Sequence, residues 1–146
     1  MRIYADICTL CRPFDDQAQP RIWLETHALC VILDLVESGR LEMIRSPIHQ
    51  LENSKSPHPF RQHWVNQCLS LATIIAPLSE AIRARANELQ TSGLFPMDSL
   101  HAAAAESQSS DALVTCDDRF RRRYSGPMRV LNPADFVVEF FNQSPP

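Results

Sequence analysis

The chain has 146 residues, a formal net charge of −3 and a hydrophobic fraction of 45%. That length predicts one domain, large enough to bury about 68–70% of its unfolded surface. No run approaches the ~18 apolar residues of a membrane span, and the negative charge argues against a general polyanion binder. Asp6 and Arg12 interrupt the start, so no signal segment is read and a cytoplasmic location is expected. Any nucleic-acid contact must use a local basic patch. The basic residues are thirteen arginines and Lys55. Arginine suits bidentate phosphate contacts, although composition bias would give the same count. Five cysteines, Cys8, Cys11, Cys30, Cys68 and Cys116, indicate free thiols in a reducing compartment. Cys8 and Cys11 have zinc-like spacing, but no second pair follows to complete four ligands.

Residues 2–6 read as a first strand ending in Asp6, and residues 12–16 as a loop. Residues 21–38 carry Ile22, Leu29, Ile32, Leu33 and Val36 at helical spacing, and Gly39 stops that helix. Residues 41–45 form a second strand. Ser46 and Pro47 open the next helix as cap and first-turn proline, and it carries Ile48, Leu51 and Glu52. Residues 53–59 are a loop. Residues 60–75 read mostly as helix, with 73–75 also readable as extended. Residues 79–90 form a helix capped by Ser79, with Ile82, Ala86 and Leu89 on one side. Asp98 enters an Ala-rich helix over residues 99–108. Residues 111–115 are a buried-type strand, 117–123 a short turn or helix, 128–131 a last strand and 133–141 a last helix. Residues 142–146 are expected to fray. Strands alternating with helices predict an α/β fold with a parallel sheet.

Four carboxylates fall at informative places. Asp6 ends the first strand, and Asp117 follows the 113–115 strand by two residues. Asp98 starts a helix, where the dipole favours an anion, and Glu52 lies on the helix after the second strand. Ligands bind beyond the carboxyl ends of strands in open parallel sheets, so one edge can collect all four. Acids held together raise one another's pKa, and a divalent cation with oxygen ligands, Mg²⁺ or Mn²⁺, relieves that cost. Each acid also has an ordinary reading. Asp98 and Asp117 suit helix caps, Glu52 a solvated face and Asp6 a strand end.

The order of these motifs resembles the PIN-domain family of metal-dependent ribonucleases, which includes the VapC-like toxins of bacterial toxin–antitoxin pairs. The resemblance rests most on Met97-Asp98-Ser99-Leu100-His101-Ala102-Ala103-Ala104-Ala105 and on Leu113-Val114-Thr115-Cys116-Asp117-Asp118-Arg119-Phe120. Val130-Leu131-Asn132-Pro133 is similar to the family's closing strand and turn, and residues 46–52 match its second acidic motif in spacing. The resemblance implies a three-layer α/β/α fold with a short, mostly parallel sheet, in one domain over residues 1–141. It implies hydrolysis of RNA with Mg²⁺ or Mn²⁺ held by Asp6, Asp98 and Asp117, while Glu52 holds metal or orients water. It also implies an antitoxin partner and a homodimer.

Thr115 is expected to bond a ligand carboxylate or the substrate. Arg119, Arg121, Arg122 and Arg123, with Arg12 near Asp6, suit a phosphate backbone. One departure stands out: Ile7 and Cys8 follow Asp6 where the family usually has hydroxyl or amide residues, which removes expected support around a metal. That departure feeds a competing reading, a catalytically weak or inactive PIN-like binding or regulatory module. A receiver-like or phosphatase domain fits less well, because it needs a lysine downstream and the chain has only Lys55.

Overall fold

The structure, a computed structural model, describes residues 1–143. The strands are β1 (Arg2–Ala5), β2 (Glu42–Arg45), β3 (Ile74–Ile75), β4 (Ala112–Val114) and β5 (Arg129–Leu131). The helices are α1 (Ile7–Leu10), α2 (Pro20–Glu37), α3 (Pro47–Asn53), α4 (Pro59–Ser70), α5 (Glu80–Thr91), α6 (Pro96–Ser107), α7 (Asp118–Arg123) and α8 (Pro133–Gln143). The sheet runs β3-β2-β1-β4-β5, and every pairing is parallel. The order reverses between β1 and β4, which creates a crevice at their carboxyl ends. There Ala5 pairs with Val114, and the Asp6 N–H donates to the Val114 carbonyl at 3.2 Å. Asp6 and Thr115 therefore leave adjacent strands at the same level.

Alternation along each strand builds the layers. Ile3, Met43, Ala112 and Val114 pack against Ile32, Leu35 and Val36 of α2 and Phe136 and Phe140 of α8. Tyr4, Ile44 and Leu113 face the other way, onto Ile48 of α3, Ile82, Ala86 and Leu89 of α5 and Ala102 to Ala105 of α6. The result is the three-layer α/β/α arrangement. Consecutive alanines let α6 lie close over the sheet, which brings the start of that helix to the crevice.

Several boundaries differ from the sequence reading. The 60–75 stretch divides into α4 and the short edge strand β3, so residues 74–75 take the extended alternative. Helix α6 starts at Pro96, earlier than residue 99, because Pro at the first helical position is already set for the helix. Asp98 is therefore inside the first turn, with Phe95 at the cap. Helix α1 has no counterpart in the sequence reading, because four residues are too few to show a period. Its reason is local, since Asp6 caps it by accepting from Thr9 N–H at 3.0 Å. Gly39 follows α2 with φ +73°, the left-handed conformation expected there. Helix α8 includes residues 142 and 143, and the last three residues of the expected tail lie outside the described residues. Among the described residues no helix is long and apolar enough to cross a membrane.

Candidate active site

Asp6 is 6% exposed at the end of β1. Burial pushes its carboxyl upward, against the opposing influence of Thr115, Cys8 and Thr9. The thiol of Cys8 lies 3.1 and 3.2 Å from the two carboxylate oxygens, so it donates to Asp6. The support that Ile7-Cys8 was expected to remove is thus partly supplied by sulfur. Thr115 is completely buried. Its Oγ1 accepts from the Asp117 N–H at 3.0 Å and lies 3.4 Å from the Cys8 sulfur. Its hydroxyl is thus placed beside Asp117 and Cys8.

Asp117 does cap α7: its Oδ1 accepts from Arg119 N at 2.7 Å and Phe120 N at 3.3 Å. Both bonds fall on one oxygen, so the cap and a place in the site are compatible. Asp98 is half-buried, and its carboxyl is pushed up to about 6 by burial, then by the charges of Asp117 and Asp6, with a smaller push from Glu52. All four predicted acids therefore share one electrostatic neighbourhood.

Glu52 reaches the site from α3, where its Oε2 accepts from His101 Nε2 at 2.6 Å. A polar chain that sequence reasoning missed runs inward from there. His101 Nδ1 is 2.7 Å from the Tyr4 hydroxyl, which is 2.7 Å from Ser46 Oγ. His49 closes the chain. Its Nδ1 accepts from the Ser46 N–H at 3.1 Å, and its Nε2–H donates to the Ala5 carbonyl at 2.8 Å. Those two partners fix a neutral His49, and burial accordingly pushes its pKa down to about 3. Two local signals were available: His101 is three residues after Asp98, on the same helix face, and His49 sits three after Ser46 in a capping arrangement.

The arginines divide. Arg12 was expected near substrate, but its Nε donates to Glu25 at 2.5 Å and its Nη1 to Asp15 at 3.0 Å. Glu25, also missed, is 1% exposed and further bonded by Arg21 and Asn132. Arg12 lines the cleft yet is committed to this cluster. Arg121 is held by Asp118 and Asp135. Arg119 and Arg123 lie over the half-exposed ring of Phe95, at 5.7 and 4.6 Å. Arg122 is exposed and has no ion pair among the described residues. It lines an open cleft of about 440 Å³ with Cys8, Asp117 and Arg119.

The donor set suits a hard divalent cation: carboxylate oxygens, crowded enough to raise Asp98, although Arg119 Nε approaches Asp117 Oδ1 to 3.7 Å. Among the described residues no three His, Cys, Asp or Glu side chains are already drawn to metal-holding distance. The acids share a field without closing on a point.

The sequence model of the family described as PIN domain matches residues 16–125. Among solved structures, VapBC2 from Rickettsia felis, bound to a DNA fragment from its promoter, is similar over 90% of this chain and 98% of its own, at 22% identity and a TM-score of 0.59. FitAB bound to an IR36 DNA fragment is similar over 90% of this chain and 95% of its own, at 19% identity and a TM-score of 0.58. No curated protein matches the chain.

Proposed function

The chain belongs to the PIN-domain family, and from that premise we propose that it is a divalent-metal-dependent endoribonuclease acting in the cytoplasm. Asp6, Asp98 and Asp117 would hold Mg²⁺ or Mn²⁺, and Glu52 would hold metal or orient the attacking water. When bound, the cation supplies water activation and stabilises charge on the departing oxygen. Asp117 is kept in place by α7 and Asp6 by Cys8 and Thr9. Arg122 is the residue left free to meet a phosphate, with Arg119 and Arg123 beside it on Phe95. The observation that carries the reading is Asp98, raised first by burial and then by Asp117, Asp6 and Glu52, acids presented from three other elements.

The two solved relatives support a further step, that the protein is the toxin of a pair and is covered by an antitoxin. An apolar groove of about 390 Å³ is lined by Ile48 and Leu51 of α3 with Leu78 and Leu100, and Phe60 on α4 is exposed. Both offer surface to a partner protein or to a second copy in a homodimer. The competing reading, a weak or inactive binding module, draws on the spacing of the acids, which are not gathered to metal-holding distance.

Cleavage of a mixed RNA pool with Mg²⁺, Mn²⁺ or EDTA, by wild type and Asp98→Asn, separates the two. The nuclease reading expects metal-dependent cutting that falls by about 100-fold or more in the variant. Equal cutting by both proteins would sink it.

A further inference from the structure

We propose that His101 is the positioning residue of the acidic site, and that the buried chain behind it, through Tyr4 to Ser46, sets how tightly the site takes a divalent cation. The inference rests on the reading that Glu52 belongs to the metal site. Glu52 projects a flexible side chain from a seven-residue helix and is about one-third exposed. Left alone it would sample several rotamers, and ordering it on metal binding would cost free energy. His101 removes that freedom. Its bond to the carboxylate is short, at 2.6 Å, and hydrogen bonds to an ionised acceptor are shorter and stronger than neutral ones.

His101 is itself fixed. It is 1% exposed, and Ala102 to Ala105 pack the helix around it against the sheet. A carboxylate only accepts, so His101 Nε2 donates to Glu52. Nδ1 is then engaged by the Tyr4 hydroxyl, and Tyr4 by Ser46, each at 2.7 Å. Ring contacts hold the same geometry: Tyr4 stacks on His49 with centroids 4.4 Å apart, and His49 and His101 are 5.2 Å apart. The chain ties together β1, α3 and α6, the elements that present Asp6, Glu52 and Asp98.

The bland alternative is a core that happens to satisfy its polar groups. Apolar residues would fill that space at lower cost than a tyrosine and two histidines, each of which needs partners when buried. Every inner member of the chain is buried, and only its outer end, Glu52, reaches solvent. Removing such supporting bonds typically weakens a metal site by about 10–100-fold.

The test is Mn²⁺ affinity of the whole chain, read by the electron paramagnetic resonance signal of free Mn²⁺, with circular dichroism and melting in EDTA as the check on folding. His101→Leu and Glu52→Gln should each weaken Mn²⁺ by about 10-fold or more, and the double variant should lose little beyond either single one. His101→Gln keeps an N–H near the Nε2 position and should restore most of the affinity. Tyr4→Phe should fall between. A folded His101→Leu that binds Mn²⁺ like wild type, while Glu52→Gln does not, overturns the proposal and leaves the metal reading standing. If Glu52→Gln changes nothing, Glu52 is outside the metal site and the metal reading loses that residue along with this proposal. Should His101→Leu fail to fold, unchanged affinity in Tyr4→Phe overturns it instead.

Discussion

Two acidic regions lie near the carboxyl edge of the sheet, and the protein treats them in opposite ways. Glu25 is buried, which works to raise its carboxyl, but Arg21, Arg12 and Asn132 outweigh that and hold it below the usual range. Asp98 is more exposed to solvent than Glu25, and burial with the neighbouring Asp117 and Asp6 pushes it up to about 6. The first carboxylate has its own cations, drawn from a loop and from its own helix. The second is crowded by charges of its own sign. An acid that the fold has neutralised is a structural part, whereas an acid left unneutralised marks where a cation from solution is needed.

Removing one member of each region should break the comparison in opposite directions. Glu25→Gln uncharges the buried carboxylate of this cluster, leaving Arg12 with Asp15 and the half-exposed Arg21 with Asp118. Losing charge-assisted bonds to a buried carboxylate, with the arginines still paired elsewhere, costs about 1.5–3 kcal/mol, which for a chain of this size is a fall in Tm of roughly 5–10 °C. Thermal melts at neutral pH measure it. A Tm within about 2 °C of wild type would mean that the cluster is incidental and that Glu25 is no reference for Asp98.

Asp98→Asn should instead raise the Tm of the metal-free protein. The sign follows from proton linkage. The folded carboxyl has a pKa of about 6 against an ordinary 3.8, so the native state binds the proton more tightly. Wild-type stability therefore falls as pH rises from about 4 to 6 and then levels off. The advantage of Asp98→Asn should be absent near pH 4, open through pH 6 and stay constant above it. Partial exposure screens the effect, so a few degrees is the expected size. Glu25 has the opposite slope, since its contribution is lost as pH falls below about 4.5. Saturating Mn²⁺ should reverse the order of the two proteins. A gap that does not depend on pH would remove charge crowding as the cause.

Asp6, Asp98 and Asp117 were legible in the sequence because each follows a short strand or opens a helix, whereas Glu52, near the end of α3, was legible only from its spacing after β2. What surrounds them was not legible, because the partners come from distant segments. Glu52 and His101 are 49 residues apart, and Arg21 and Asp118 are 97 apart. Arg12 read as a phosphate contact because a loop arginine after Asp6 has no visible partner in sequence, and Glu25 looks like any helical glutamate. Cys8 read as a loss because sulfur is a weak donor, and only its distances to both Asp6 oxygens show it in use. Thr115 was assigned a place beside a carboxylate or the substrate, and its burial beside Asp117 and Cys8 was not visible in the sequence. The sheet itself was predictable from the alternation of strands and helices; the two-residue β3 was not separable from α4 without its pairing to β2.

The distinction between paired and unpaired charge extends to the arginines, where the expected effects are smallest. Arg121 and Arg122 are adjacent on α7 and equal in charge, but Arg121 is engaged by Asp118 and Asp135 and Arg122 has no ion pair among the described residues. Binding of labelled single-stranded RNA, measured across salt concentrations in an Asp98→Asn background, compares them without cleavage. Arg122→Ala should reduce the slope of log affinity against log salt by about 1, the signature of one lost phosphate contact. Arg121→Ala should leave the slope unchanged and cost at most about 1 kcal/mol of stability, as a partly exposed ion pair does. Equal slope changes in the two variants would mean that the ion pairs of Arg121 open on RNA binding. Pairing seen in the free protein would then no longer predict which arginines meet phosphate, and the contrast drawn between Glu25 and Asp98 would hold for buried carboxylates alone.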